Sequence, residues 1–108
     1  MMRIAASLIA LAASIACGGA AEHDPLKQEG RILVKKMCGG CHAIGKNDTS
    51  PHVAAPAFRI LDRQLDLDTF ADRLRRGLLT GHQDMPMFRL SRDDAYAIAA
   101  YVRSIQGL

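Results

Sequence analysis

Apolar residues recur at spacings of three and four in three segments of the chain, which is the period of an α-helix with one buried face. In the first segment Pro25 suits a first helical position, and the recurrence continues to Met37, which predicts a helix over residues 25–37. The recurring positions are Leu26, Gly30, Leu33, Val34 and Met37. No segment shows the two-residue alternation of a strand. The pattern therefore predicts an all-α fold.

The second predicted helix follows Asp66 or Asp68, either of which can cap it, and ends at Gly77. Its apolar face comprises Leu67, Phe70, Leu74 and Leu78. The third is predicted from Ser91, a strong N-cap that two aspartates follow, to about Ile105. Its apolar face comprises Ala95, Ile98, Ala99, Val102 and Ile105, with Tyr101 beside them. Residues 39–56 and 81–89 lack apolar periodicity and are predicted to be long loops.

The first 21 residues differ in character from the rest of the chain. Met1-Met2-Arg3 gives a short positive end, residues 4–16 form an uncharged apolar run, and small residues follow at 18–21. As a helix the run would span only roughly 20 Å, against about 30 Å for a hydrocarbon core. We therefore expect residues 1–21 to be a cleaved signal peptide and residues 22–108 to be one exported, periplasmic domain without a membrane span. The alternative is a lipoprotein anchored through Cys17, although leucine is absent three positions before it.

Charge and aromatic content narrow the classes of partner. Without Arg3, the expected mature chain has 13 Lys and Arg against 11 Asp and Glu, and it contains no Trp. The basic residues cluster only at Arg73, Arg75 and Arg76, so nucleic-acid binding is not indicated. A core with so few aromatic residues is small for a domain of this length. We expect a bound group to complete it.

The sequence Cys38-Gly39-Gly40-Cys41-His42 carries the main chemical signal. Two thiols separated by two residues can add to two vinyl groups on one edge of a porphyrin, and the next residue, His42, is then carried to the iron. This spacing is the attachment signature of c-type haem. A zinc site would need more ligands, and a thioredoxin-like dithiol would need an α/β pattern, which is missing here. A plain disulfide is a further alternative.

A second axial ligand must come from a donor past this motif, and the candidates are His52, His82, Met85 and Met87. Proline at position 86 fixes the chain direction, so that Met85 and Met87 point to opposite sides and only one of them can reach the iron. The residues alone leave this choice open.

The chain resembles the small class I cytochromes c over the whole predicted domain. Gly30 stands eight residues before Cys38, as does the glycine at which the first and last helices cross in that family, although Val34 replaces a frequent aromatic. The residues from Met85 to Phe88 resemble the family's Met-Pro-x-Phe segment, and Ala100-Tyr101 follows in the last helix. In the family, a proline in the loop after the motif packs near the histidine and its neighbour's backbone orients the ring; Pro56 matches by position.

The resemblance implies a cytochrome c fold of three to four helices around one haem c per chain. It also implies covalent attachment through Cys38 and Cys41, with His42 and Met85 as axial iron ligands. With both axial positions filled, the protein is expected to be a single-electron carrier and not an enzyme.

A carrier of this kind is expected to be monomeric and to meet its redox donor and acceptor proteins transiently at the haem edge. The predicted rim comprises Gly39, Gly40, Ala43, Ile44 and the residues near Met87. Two alternatives are an electron-entry subunit of a larger oxidoreductase and a haem-based sensor of small ligands.

Overall fold

Four helical elements make up the part of the fold that the structure describes. A computed structural model of the chain describes residues 12–14, 23–77 and 85–107. The elements are α1 (Pro25–Met37), a 3₁₀ helix (Phe58–Arg63), α2 (Phe70–Arg76) and α3 (Arg92–Ser104). The described residues contain no β-strand. The predicted all-α class is therefore confirmed.

The two long helices begin and end close to the positions that the sequence predicts. The carboxylate of Asp24 accepts hydrogen bonds from the amides of Leu26 and Lys27, at 3.0 and 3.4 Å, and Pro25 occupies the first turn of α1. The hydroxyl of Ser91 accepts from the Asp94 amide at 3.1 Å and starts α3. Each side chain satisfies donors that a helix start would otherwise leave unpaired.

Helices α1 and α3 cross at Gly30. A Cβ atom at this position would lie 1.9 Å from the Ala97 carbonyl oxygen and 2.9 Å from the Tyr101 Cβ. Only glycine permits so close an approach between the two helix backbones. The crossing of the first and last helices at Gly30, which the family resemblance implies, is confirmed. Ala97, which the sequence pattern did not place on the buried face, is the nearest neighbour of Gly30.

Helix α2 starts later than predicted. Its N-cap is Thr69, not Asp66 or Asp68, because the carboxylate of Asp66 accepts from the Asp68 amide at 2.9 Å and so closes a turn ahead of the helix. The carboxylate of Asp68 instead pairs with Arg103 on α3 at 3.0 Å. Gly77 ends α2 with a positive φ of 68°, as the sequence predicts.

The core lies where α3 packs against α1, α2 and the 3₁₀ helix. Its largest fully buried side chains are Val34, Ile98 and Val102. Phe58 and Leu61 of the 3₁₀ helix and Phe70 and Leu74 of α2 complete it.

Several sequence predictions fall on residues that are not described. Cys17, Leu78 and His82 lie outside the described residues, as does the expected signal peptide at residues 1–21 apart from residues 12–14. Within the described parts of the chain, no helix is both long enough and apolar enough to span a bilayer.

Candidate functional site

The cysteine motif continues directly from the end of α1. The amides of Cys38 and Gly39 both donate to the Val34 carbonyl, at 2.8 and 3.0 Å, and the amides of Cys41 and His42 donate to the Cys38 carbonyl, at 3.1 and 2.9 Å. These bonds wind residues 38–42 into a tight turn. Cys41 is exposed, Cys38 is half-buried, and His42 is buried.

The imidazole of His42 is held by the loop that follows the motif. Its Nδ1 lies 2.7 Å from the Pro56 carbonyl oxygen, and its ring lies 4.7 Å from the Phe58 ring, between centroids. Since a carbonyl oxygen can only accept, Nδ1 carries the hydrogen and Nε2 carries the lone pair that can bind a metal. Pro56 itself supplies the carbonyl, whereas the family resemblance implied a neighbouring residue.

Residues 43–50 are folded back on themselves by two side chains. The carboxylate of Asp48 accepts from the amides of Ile44 and Gly45, both at 2.9 Å, and the Ser50 hydroxyl accepts from the Ala43 amide at 2.9 Å. Desolvation by itself would raise the pKa of Asp48, but the amide hydrogen bonds and then the nearby Arg59 outweigh it and lower this pKa. The carboxylate is therefore ionised at neutral pH, when its bonds to the loop are strongest.

Helix α3 reaches this loop through one buried side chain. The Tyr101 hydroxyl donates to the Ile44 carbonyl at 2.5 Å. Burial of the ring raises the pKa of Tyr101 above its usual value near 10. The hydroxyl thus remains a donor across the neutral range and ties the loop after the motif to the last helix.

Two adjoining cavities lie beside the motif. The larger one has a volume of about 450 Å³, and Cys38, His42 and Met85 line it. The smaller one, of about 70 Å³, is lined by these three residues and also by Cys41 and His52. The four site residues that the sequence predicts therefore line one continuous region, although 43 positions separate His42 from Met85.

Most of the larger cavity wall is apolar. Its wall includes Ile60, Leu61, Leu65, Phe70, Leu74 and Ile98. A volume of about 450 Å³ is within the roughly 300–1,000 Å³ of small-molecule and cofactor pockets, which are mostly apolar with a few oriented polar groups. A nitrogen donor, a thioether donor and two thiols around such a cavity fit a haem that is held by both thioethers and axial ligands.

The two methionines of the Met-Pro-Met segment differ in their surroundings. Met85 is half-buried and lines both cavities, whereas 77% of Met87 is exposed. The Met87 sulfur lies 3.8 Å from the position that a Cβ atom at Gly77 would occupy. Met87 is therefore at the surface beside the end of α2, and its side chain lines neither cavity.

Among the other donors that the sequence offers, His52 is half-buried at the edge of the smaller cavity, where its Nδ1 accepts from the Ala54 amide at 3.2 Å. His82 lies outside the described residues. In the parts of the chain that are described, no cluster of three or more His, Cys, Asp or Glu side chains could hold a metal ion.

Both cysteines of the motif are free thiols. Burial, followed by repulsion from Cys41, raises the pKa of the Cys38 thiol to about 11. At neutral pH Cys38 is therefore protonated. A half-buried, protonated thiol is poorly suited to acting as a thiolate nucleophile.

The cavity wall contains a cation that sequence reasoning did not assign to the site. Arg73 is half-buried there, and no acidic side chain among the described residues lies within ion-pair distance of it. Arg76, three residues further along α2, instead pairs with Asp72 at 3.2 Å, and both of these side chains are exposed. The signal was available in the sequence, because Arg73 lies three residues after Phe70 and directly before Leu74, beside the apolar face of α2.

The predicted rim of the site needs one correction. Ala43 is fully buried, because its amide binds Ser50 and its carbonyl accepts from the Phe58 amide at 2.9 Å, and Ile44 is half-buried. Val53 is an exposed apolar residue at this edge, since it is 99% exposed and lines the larger cavity, whereas Met87 is exposed but lines neither cavity.

The sequence was compared with protein families, curated proteins and solved structures. The family described as cytochrome C oxidase, cbb3-type, subunit III matches residues 25–102. Cytochrome c-552 of Bradyrhizobium diazoefficiens is 34% identical to the chain over 77 residues, which cover 71% of the chain and 72% of the relative. No solved structure matches.

Proposed function

The chain belongs to the family of small class I-like cytochromes c, and on this premise we propose that it carries single electrons on one covalently bound haem with His42 and Met85 as axial ligands. The observation that supports this proposal most strongly is the convergence of Cys38, Cys41, His42 and Met85 on adjoining cavities with an apolar wall. Met85 lies 43 positions after His42 in the sequence, so it is the fold that brings this methionine to the motif.

When bound, haem supplies a reversible one-electron couple at its iron, and the protein sets how that couple is poised. Cys38 and Cys41 would hold the porphyrin edge as thioethers, and His42 would present Nε2 to the iron. The Pro56 carbonyl, by accepting from Nδ1, fixes the tautomer of His42 and makes Nε2 a better donor. The Met85 thioether would favour the reduced iron.

Arg73 would serve the carboxylate end of the cofactor. A cation on an apolar wall is costly unless an anion pairs with it, and haem carries two propionates. Among the described residues Arg73 has no acidic partner, which makes it the suitable group for one of these carboxylates. The surrounding apolar residues would limit the access of water and so strengthen that pairing.

With both axial positions occupied by protein side chains, no coordination site remains for a substrate. We therefore propose an electron carrier without enzymatic activity of its own. We also propose that residues 1–21 are removed on export and that residues 22–108 form one monomeric periplasmic domain. A lipid anchor at Cys17 is the alternative mode of localisation.

A second candidate function is an electron-entry subunit of a larger oxidoreductase, and the description of the matching family as an oxidase subunit favours it. The two functions differ in what accompanies the protein. A free carrier purifies alone from the periplasmic fraction, whereas a subunit elutes with other chains from mild detergent extracts.

Covalent attachment is tested by acid-acetone extraction and by the mass of the purified chain. We expect the haem to stay on the polypeptide and the mass to include one haem. The Cys38→Ala/Cys41→Ala double variant should accumulate little folded protein, because the cofactor fills the apolar cavity. Extractable haem in the wild type would refute the proposal.

The axial ligand is tested with two methionine variants of the holoprotein. Met85→Ala should lower the redox potential, abolish the weak near-infrared band of sulfur-ligated ferric haem, and allow the reduced protein to bind carbon monoxide. Met87→Leu is the matched control and should leave all three properties unchanged, since an exposed methionine is replaced well by leucine. Carbon monoxide binding to the reduced wild type at neutral pH would instead support a sensor.

A further inference from the structure

The 3₁₀ helix next to the candidate ligand needs support from outside itself. It is six residues long, from Phe58 to Arg63, whereas 3₁₀ runs beyond about three or four residues are uncommon because their hydrogen bonds are poorly aligned. Its N-cap residue, Ala57, provides no side-chain hydrogen bond. Its local sequence therefore does not explain why this helix persists.

The support comes from the side chain of Gln106, just beyond the end of α3. Its Oε1 accepts from the Asp62 amide at 2.9 Å, and its Nε2 donates to the Phe58 carbonyl at 2.6 Å and to the Val102 carbonyl at 2.7 Å. The amide of Gly107 adds a bond to the Arg59 carbonyl at 3.2 Å. One carboxamide thus joins both ends of the 3₁₀ helix to the last turn of α3.

The clamped helix determines where the imidazole of His42 lies. The Phe58 ring packs on the His42 ring, at a centroid distance of 4.7 Å and an interplanar angle of 40°. Pro56, two residues before the helix, accepts from His42 Nδ1, and the Phe58 amide is bonded to the Ala43 carbonyl, one residue after His42. A shift of Phe58 would therefore turn or tilt the imidazole.

We propose that Gln106 is a positioning residue for the axial ligand His42, acting through Phe58 and Pro56. The inference rests on the proposed function, because it requires His42 to bind the haem iron. Groups that orient a metal-binding histidine through its other face or its other nitrogen tune the metal as well as the fold. Gln106 does so from a position 64 residues further along the chain.

The test compares variants of the ferric holoprotein by electron paramagnetic resonance, by the haem methyl proton shifts and by redox titration. Gln106→Met keeps the side-chain length but loses all three hydrogen bonds, and it should change the g values and the spread of methyl shifts, which report the orientation of the axial imidazole. Ser104→Ala is the control, because its hydroxyl donates only to the Tyr101 carbonyl within α3, at 2.6 Å. It should keep the wild-type spectra even if its thermal midpoint falls.

A second variant separates the hydrogen bonds from one another. Gln106→Glu keeps an acceptor for the Asp62 amide but places a carboxylate oxygen against the Phe58 and Val102 carbonyls, so both donated bonds are lost and the spectral change should be at least as large as in Gln106→Met. Unchanged spectra in both Gln106 variants, or loss of folded holoprotein in both while Ser104→Ala folds, would overturn the positioning role. If the wild type itself lacks a low-spin ferric signal and the sulfur band, the proposed ligands are wrong and the inference falls with them.

Discussion

Replacing Gly30 with alanine probes the contact on which the arrangement of α1 and α3 depends. The added Cβ would lie 1.9 Å from the Ala97 carbonyl oxygen, 2.5 Å from the Ala97 carbonyl carbon and 2.9 Å from the Tyr101 Cβ. Cβ atoms essentially never approach other heavy atoms within 3.0 Å, so the helices must separate by about 1 Å at this point. The obstacle is backbone, and no side-chain rotation can relieve it.

Two opposing effects set the magnitude of this destabilisation. Overpacking of a core costs about 1–3 kcal/mol, and a backbone obstacle places Gly30→Ala at the upper end, near 3 kcal/mol. Alanine in a helix interior recovers about 1 kcal/mol relative to glycine. The net loss is therefore about 2 kcal/mol of unfolding free energy. For a domain of this size, 1 kcal/mol shifts the thermal midpoint by about 4–8 °C, so the midpoint should fall by about 8–16 °C.

The assay is thermal unfolding of the holoprotein, followed by far-ultraviolet circular dichroism. Gln28→Ala, at an exposed position of the same helix, is the control and should move the midpoint by only a degree or two either way, because exposed substitutions change stability by about 0.5 kcal/mol or less. A Gly30→Ala midpoint equal to or above that of the wild type would refute the reasoning, because it would mean that the helices do not cross at Gly30.

Two further predictions concern charge and pH. Arg73→Gln should lower the redox potential more than Arg75→Gln, because Arg73 is half-buried on the cavity wall and Arg75 is exposed. At equal distance from the iron, effective dielectric constants of roughly 20 and 80 make the two shifts differ about fourfold. Equal shifts in a redox titration would count against a propionate partner. Tyr101→Phe should cost about 1 kcal/mol at neutral pH by leaving the Ile44 carbonyl without its donor. Burial raises the pKa of Tyr101 above its ordinary value of about 10. The contribution of Tyr101 to the free energy of unfolding is therefore complete below about pH 10 and is lost as the pH rises through the pKa of the folded state. Denaturant titrations should show a steeper alkaline decline of stability in the wild type than in Tyr101→Phe.

The parts of this fold that the sequence predicts well depend on interactions between neighbours in the chain. Asp24 and Ser91 cap α1 and α3 within three residues of themselves, so both helices could be located from the sequence. The 3₁₀ helix could not, because it is held by Gln106 from 44 and 48 residues away and its N-cap residue provides no side-chain hydrogen bond. The sequence pattern places the start of α2 too early, because a turn at Asp66 and a long-range pairing of Asp68 compete with capping.

The residues of the candidate site also differ in whether they depend on local or long-range interactions. The motif at residues 38–42 is a local pattern, so the sequence alone is enough to predict it. The difference between Met85 and Met87 depends on which one lines the cavities, and only the family resemblance distinguished them in the sequence. The burial of Ala97 escaped the apolar pattern because its contact with Gly30 involves a backbone carbonyl, which a pattern of side chains does not register.

The crossing of α1 and α3 also sets an order of events during biosynthesis. Gly30 and Ala97 meet across 67 residues, so α1 has no partner until almost the whole chain has been made. Docking of α1 can begin only after α3 has emerged, and the closure entropy of the long intervening segment opposes that step. Because residues 38–42 continue directly from the end of α1, they gain a fixed position relative to the last helix at the same late step.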